Sequence, residues 1–170
     1  MRIDDDHMYH GAALVQIAEH EMFTAINALK VGNRIVRSAY TVNEDTAVYF
    51  KYASEPTPAF NEYQFTFRAN HLDDLRSISS TSRDTYIALI CVQAREICCV
   101  PYDTLTDLVS RRKYAHRSAE DQYVVLVTAE KGKQLRLYMN QPGQKKKILG
   151  GAQLVSRGAF PSVIFSGGFR

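Results

Sequence analysis

Asp45-Thr-Ala-Val-Tyr-Phe-Lys51 and, after a proline-bearing stretch, Glu62-Tyr-Gln-Phe-Thr-Phe67 decide how this chain folds. Both runs are rich in β-branched and aromatic residues, the side chains that fit a pleated, half-buried surface. In the second run Tyr63, Phe65 and Phe67 share one side and Glu62, Gln64 and Thr66 the other, because successive strand residues face opposite ways. The pattern predicts a strand with one buried and one polar face. Pro56 and Pro58 cannot donate to a ladder, so residues 54–61 between the runs are expected to form a loop.

Upstream, Arg34 to Val42 reads as the hairpin partner of Thr46 to Ala53, turned by Asn43, Glu44 and Asp45. Ahead of it Ala13, Leu14, Ile17, Ala18, Met22, Ala25, Ile26 and Leu29 recur at steps of three and four, which predicts one amphipathic helix over 10–29. Asp4 to Asp6 suit its positive end, and Gly32-Asn33 supply a stop.

Downstream, Leu72, Leu75 and Ile78 predict a short helix over 71–78, closed by the polar residues 79–83. Continuous apolar runs at 86–92 and 96–100, joined by Gln93, Ala94 and Arg95, predict strands buried on both faces. Residues 103–113 place Leu105, Leu108 and Val109 on one helical side, and 123–128 with 134–139 form a hairpin around 130–133. Beyond Pro142 the periodicity fades, although Leu154, Val155, Phe160, Val163, Ile164 and Phe165 predict a tail packed on the body. The order is αβββαββαββ, an α/β (α+β) fold with a mixed central sheet flanked by helices.

At 170 residues and 45% hydrophobic content the chain suits one domain of the common size, about 100 to 200 residues. We expect a core over 10–113, with the C-terminal hairpin and packed tail over 121–170. A formal charge of +3 permits a polyanionic partner without requiring one. Cys91, Cys98 and Cys99 lie in apolar runs with no CxxC spacing, which predicts reduced core thiols, Cys98 and Cys99 facing opposite ways. The acidic start lacks the apolar core of a secretory signal, and no run approaches the roughly 20 apolar residues of a membrane span. The expected location is cytoplasmic, away from the membrane.

The helix, strands, helix and strand over Gly11 to Val92, extended to Val109, resemble the core of the PD-(D/E)XK nuclease superfamily, the restriction-endonuclease-like fold. The run Tyr86 to Val92 followed by Glu96 to Leu105 is similar to the strand, hairpin and helix that often follow the catalytic elements there. In that superfamily an acid on the second core strand and one on the third hold one or two magnesium ions, with a lysine two positions after the second acid. The resemblance puts these at Asp45 and Glu62, with Gln64 where the lysine is expected, as in some members. Lys51 shares the strand parity of Asp45 and would supply the ammonium; Glu19, on the first helix, would assist the metal. The implied activity is Mg2+-dependent hydrolysis of DNA phosphodiester bonds, for which a hard cation held by oxygen ligands neutralises charge and activates water.

Each residue has a plainer role beside that one. Asp45 is what a turn wants, Glu62 and Gln64 suit the wet side of a strand, and Lys51 suits a surface lysine that buries its stem. The alternative function is a non-catalytic module of the same fold that binds nucleic acid, DNA ahead of RNA, or a protein partner. Its contacts would be Arg111, Arg112 and Lys113, Lys131 with Lys133, and Lys145, Lys146 and Lys147, interleaved with Tyr114 or Tyr138 for stacking. A subunit of a larger complex, or a homodimer, would dock through the apolar tail over 154–165. His7 and His10 with Asp4 to Asp6 could bind a metal at the helix start, against the simpler reading of a solvated cap. The sequence contains no phosphate-binding glycine loop, no Gly-x-Ser-x-Gly elbow and no HExxH.

Overall fold

In the computed structural model, which describes residues 1–166, α1 (Asp5–Ala18) begins at a reciprocal cap. The Asp4 carboxylate accepts from the His7 amide at 3.0 Å, and the Asp4 amide donates to His7 Nδ1 at 3.1 Å. Two of the amides that a helix start leaves without partners are thereby satisfied. β1 (Ile26–Val31), β2 (Arg34–Val42) and β3 (Thr46–Ala53) follow as an antiparallel meander. The predicted helix over 10–29 therefore stops eleven residues early; residues 19–25 form a turn and an irregular link, and Ile26 to Leu29 lie in β1.

Tertiary pairing decides that difference. Asn43, in the β2–β3 turn at φ 55°, accepts from the Thr24 amide at 2.8 Å, and its Nδ2 donates to the Met22 carbonyl at 3.1 Å. Those bonds bring the segment ahead of β1 alongside the end of β2. Gly32 is not a helix stop but the first turn residue of the β1–β2 hairpin, at φ 62°, where Val31 pairs with Arg34. Apolar spacing of three and four over so short a window fits either element.

The chain continues through β4 (Tyr63–Arg68), α2 (Ala69–Thr81), β5 (Asp84–Cys91), β6 (Glu96–Pro101), α3 (Tyr102–His116), β7 (Gln122–Thr128) and β8 (Leu135–Tyr138). It ends in β9 (Asn140–Gln141), β10 (Gln144–Ile148), β11 (Gln153–Val155) and α4 (Val163–Ser166). α2 runs through the serine-rich stretch expected to close it, since the Ser79, Ser80 and Thr81 hydroxyls bond back to carbonyls one turn earlier.

The first sheet has the order β1-β2-β3-β5-β6 and is mixed, with β3 and β5 parallel and the other neighbours antiparallel. The second, β11-β8-β7-β4, is antiparallel, and β9 and β10 form a small ribbon. β4 thus leaves the central sheet: the 54–61 loop carries it across to pair with β7, and β5 takes the place beside β3. One core lies between the two sheets, α2 and α3, with Tyr49, Phe65, Phe67, Leu75, Leu89, Leu108, Val125 and Leu137 buried together. The other lies under α1 on the opposite face of the first sheet, around Ile17, Val48, Phe50 and Ala88.

Phe160 and Ile164 of the tail are buried in that second core, and Val155 in the first. The apolar tail expected to dock on a partner is thus spent largely inside its own chain, leaving Leu154 exposed. Cys98 and Cys99 face the two different cores, and burial pushes the Cys98 thiol up to about 12. Among the described residues no helix is long and apolar enough to cross a membrane.

Candidate functional site

The polar side of β4 is exposed at Gln64 and half-buried at Thr66, while Glu62 just ahead of it is buried. That side forms, with the outer residues of β7, the floor of a cleft of about 590 Å³ on the second sheet's far face. Register sets the floor: Gln64 pairs with Leu126, and Val124 and Gln122 follow at alternate positions along β7. Ala59 and Phe60 of the 54–61 loop wall one side, and Asn140, Gln141, Gln144 and Lys145 of the ribbon wall another.

Glu62 sits deepest. It is 5% exposed, and its Oε2 accepts a short hydrogen bond from the Tyr138 hydroxyl. Among the described residues Oε1 has no partner. The loop before it closes on itself, because the Thr57 amide donates to the Glu62 carbonyl at 2.9 Å and the Asn61 amide to the Thr57 carbonyl at 2.8 Å. Glu62 is therefore held from its own backbone and from β8. Burial, and then the Glu62 carboxylate, push the Tyr138 phenol well above its ordinary value, so it stays a donor at neutral pH.

Arg112 closes the far end. Its Nε and Nη2 grip both oxygens of Glu120 at 2.7 and 2.8 Å, and its Nη1 donates to the Asn140 carbonyl at 2.6 Å. That grip lowers the Glu120 carboxyl below its ordinary value. α3 is thereby tied to the ribbon. Arg111 pairs with Asp107 one turn earlier at 2.8 Å, and its guanidinium lies beside Gly150, where a Cβ would stand 2.9 Å from Nη1. In between, β10 carries Lys145, Lys146 and Lys147 outward. Lys146 adopts φ 70° at an irregularity in the ribbon's pairing, and its ammonium lies 4.7 Å from the Phe60 ring centroid. The three lysines thus belong to a strand that walls the cleft.

The sequence-predicted residues divide between several places. Glu62, Gln64, Arg112 and Lys145 line this cleft. Asp45 lies in the β2–β3 turn, its carbonyl accepting from the Arg83 amide at 2.9 Å and its carboxylate 4.0 Å from that guanidinium. That is the end where β3 begins. Glu62 lies where β3 finishes: the next residue, Tyr63, accepts from the Ala94 amide at 3.0 Å in the β5–β6 turn. The length of β3 separates them, roughly 25 Å at the usual rise. Ligands of one magnesium lie within about 2 Å of it, so Asp45 and Glu62 do not share a cation in this arrangement. Glu19 is an exposed residue at the end of α1. Among the described residues no group of three or more His, Cys, Asp or Glu is placed to hold a metal ion. His7 caps its helix and His10 is buried against Phe50, ring centroids 5.6 Å apart.

Lys51 points between the sheets, where Nζ lies 3.3 Å from His71 Nδ1 and 4.9 Å from the Phe67 centroid. A shallow depression beside it shares Gln64 with the cleft. Burial, and then Arg68, lower the Lys51 ammonium to about 8. A lysine depressed in the fold carries a penalty that is full below about pH 8 and fades as pH rises toward the ordinary 10.5, where the unfolded chain also loses its proton. Lys51→Met is therefore expected to stabilise the protein by ~1–2 kcal/mol at pH 7, a figure reduced for the water that still reaches the group. Urea melts at pH 7 and pH 10 check it, since the gain must shrink at the higher pH.

The remaining basic cluster lies apart. Lys131 and Lys133 sit in the β7–β8 turn, where Lys133 pairs with Glu130 at 3.2 Å and Arg157 binds the Lys133 carbonyl at 2.7 Å. Tyr114 is exposed near the end of α3, whereas Tyr138 is buried and engaged with Glu62. Sequence reasoning missed Glu120, Gln122 and Asn140. The alternation of Gln122, Val124 and Leu126 against Tyr123, Val125 and Val127 marks the floor of the cleft, but nothing local signals the Arg112 bonds across the fold. No family model, curated protein or solved structure matches the chain.

Proposed function

We propose that this chain is a nucleic-acid-binding module that tracks a phosphate backbone along the C-terminal turns of α3 and the β10 ribbon. The observation that carries this is the junction of two basic segments distant in sequence: Arg112 bonds the Asn140 carbonyl, Arg111 lies on Gly150, and Lys145 to Lys147 project from the strand between. Arg111 pairs with Asp107 and Arg112 with Glu120, so Lys145 to Lys147 supply the charge that would release counterions on binding, which gives affinity without sequence preference. A polar, partly apolar cleft opens beside them, as in surfaces that hold a backbone and admit bases.

A magnesium-dependent nuclease of the restriction-endonuclease-like kind would need Asp45 and Glu62 at one cation, and the β3 strand stands between them. Binding is thus the reading we favour over cleavage. Replacing Lys145, Lys146 and Lys147 together by alanine is expected to weaken binding to a DNA oligonucleotide by about tenfold or more at 0.1 M salt. It should also flatten the slope of log affinity against log salt by about 2 to 3. Fluorescence anisotropy across a salt series checks both. Cleavage of DNA with magnesium or manganese, lost in both Asp45→Asn and Glu62→Gln, would restore the nuclease.

A further inference from the structure

We infer that the cleft over β4 and β7 receives an unpaired nucleobase bearing an exocyclic amino group, with Glu62 as its principal acceptor. The inference rests on the nucleic-acid reading for its backbone and on the cleft alone for its base.

The depth of the cleft offers an acceptor. Glu62 is almost fully buried, gives Oε2 to Tyr138, and keeps Oε1 without a partner among the described residues. Oε1 is not enclosed, so a carboxylate oxygen on an otherwise buried residue is left open to a ligand edge that donates. A carboxylate accepting from a base amino group is a standard recognition pair.

Charge excludes the other donors. An ammonium or guanidinium ligand would also satisfy Glu62, but it would have to pass Lys145, and Lys146 over the Phe60 ring, at the rim. A nucleotide presents the complement in the right order, an anion at the rim and N–H groups at the floor. Val124, Leu126, Met139 and Phe60 supply apolar contact for its planar faces, and 590 Å³ lies within the range of small-molecule sites. A duplex hides these base edges, so the base must come from a single strand or an extruded position.

The test uses the full chain, oligo-dC and oligo-dT of equal length, and the phosphate-free nucleosides guanosine and inosine, which differ by one amino group. Oligo-dC should bind about tenfold or more tightly than oligo-dT, and saturation-transfer NMR should detect guanosine ahead of inosine. Glu62→Gln should remove both preferences while leaving oligo-dT affinity and its salt slope as in the parent. Since Glu62 is buried, Val124→Trp serves as a second variant: it fills the cleft from a half-buried floor position, leaves Glu62 in place, and should remove the preferences equally. A thermal melt shows that each variant is folded. Equal binding of dC and dT with equal guanosine and inosine signals, or preferences that survive both variants, overturn the inference while leaving backbone binding intact. Absence of any oligonucleotide binding overturns the proposed function instead, and the nucleoside pair still decides the cleft.

Discussion

Phe67→Ala is expected to destabilise the protein by ~3–5 kcal/mol, the usual range for emptying a buried phenylalanine site. Phe67 is fully buried at the end of β4, opposite Tyr123 in the ladder, with its ring 6.5 Å from Tyr49 and beneath the Lys51 ammonium. Tyr49 and Lys51 belong to the first sheet and Phe67 to the second, so the ring fills the seam between them. Neither sheet can move into the void without breaking its own ladder, which keeps the cost near the top of the range. For a chain of this size the loss corresponds to a fall in Tm of roughly 10–15 °C. Leu154→Ala, at an exposed position, should stay within about 0.5 kcal/mol. Urea denaturation followed by both circular dichroism and tyrosine fluorescence checks the comparison. Two separated transitions in the variant would mean that the sheets do not share a core.

Strands written in local patterns were legible before the structure. The alternation in Tyr63, Phe65 and Phe67, and the apolar runs of β5 and β6, each encode the faces they bury, so their existence and facing follow from parity. β1 was not legible, because Ala25, Ile26 and Leu29 satisfy a helical period and only the pairing with β2 and the Asn43 side chain turn them into a strand. The sheet to which β4 belongs was hidden for the same reason. Its partner β7 lies more than fifty residues away, and no feature of Glu62 to Phe67 distinguishes pairing with β3 from pairing with β7.

The site divides along the same physical line. Glu62 and Gln64 could be found from sequence as polar residues facing one way on an aromatic strand. The burial of Glu62 could not, since it depends on the 54–61 loop and on Tyr138 reaching it from β8, whereas Gln64 stays exposed as a wet strand face requires. Asp45 was attractive by its place in a strand order, yet Asn43, Glu44 and Asp45 form a turn because residues that tolerate left-handed backbone and bond locally belong there. The basic residues were visible one by one. Their meeting depends on Arg112, whose guanidinium serves Glu120 and Asn140 together.

Arg112→Ala is accordingly expected to act on stability and on binding together. The pair with Glu120 is bidentate and largely shielded, with side chains 21% and 18% exposed, so removing the guanidinium strands a half-buried carboxylate and a carbonyl. We expect a loss of ~2 kcal/mol at neutral pH. Glu120 has its carboxyl lowered by Arg112, so the stabilisation is full above the ordinary value of 4.5 and disappears as pH falls through the lower folded value. Melts of parent and variant should therefore converge in acid. Arg112→Lys keeps the charge but not the fork, and should recover little of the loss. On nucleic acid the variant should lose more affinity than one cation accounts for, because the ribbon that carries Lys145 to Lys147 is released from α3. The salt slope separates the causes: deleting a single phosphate contact flattens it by about 1, and freeing the ribbon flattens it further. A slope changed by only that single unit would mean that the lysines hold their places without Arg112.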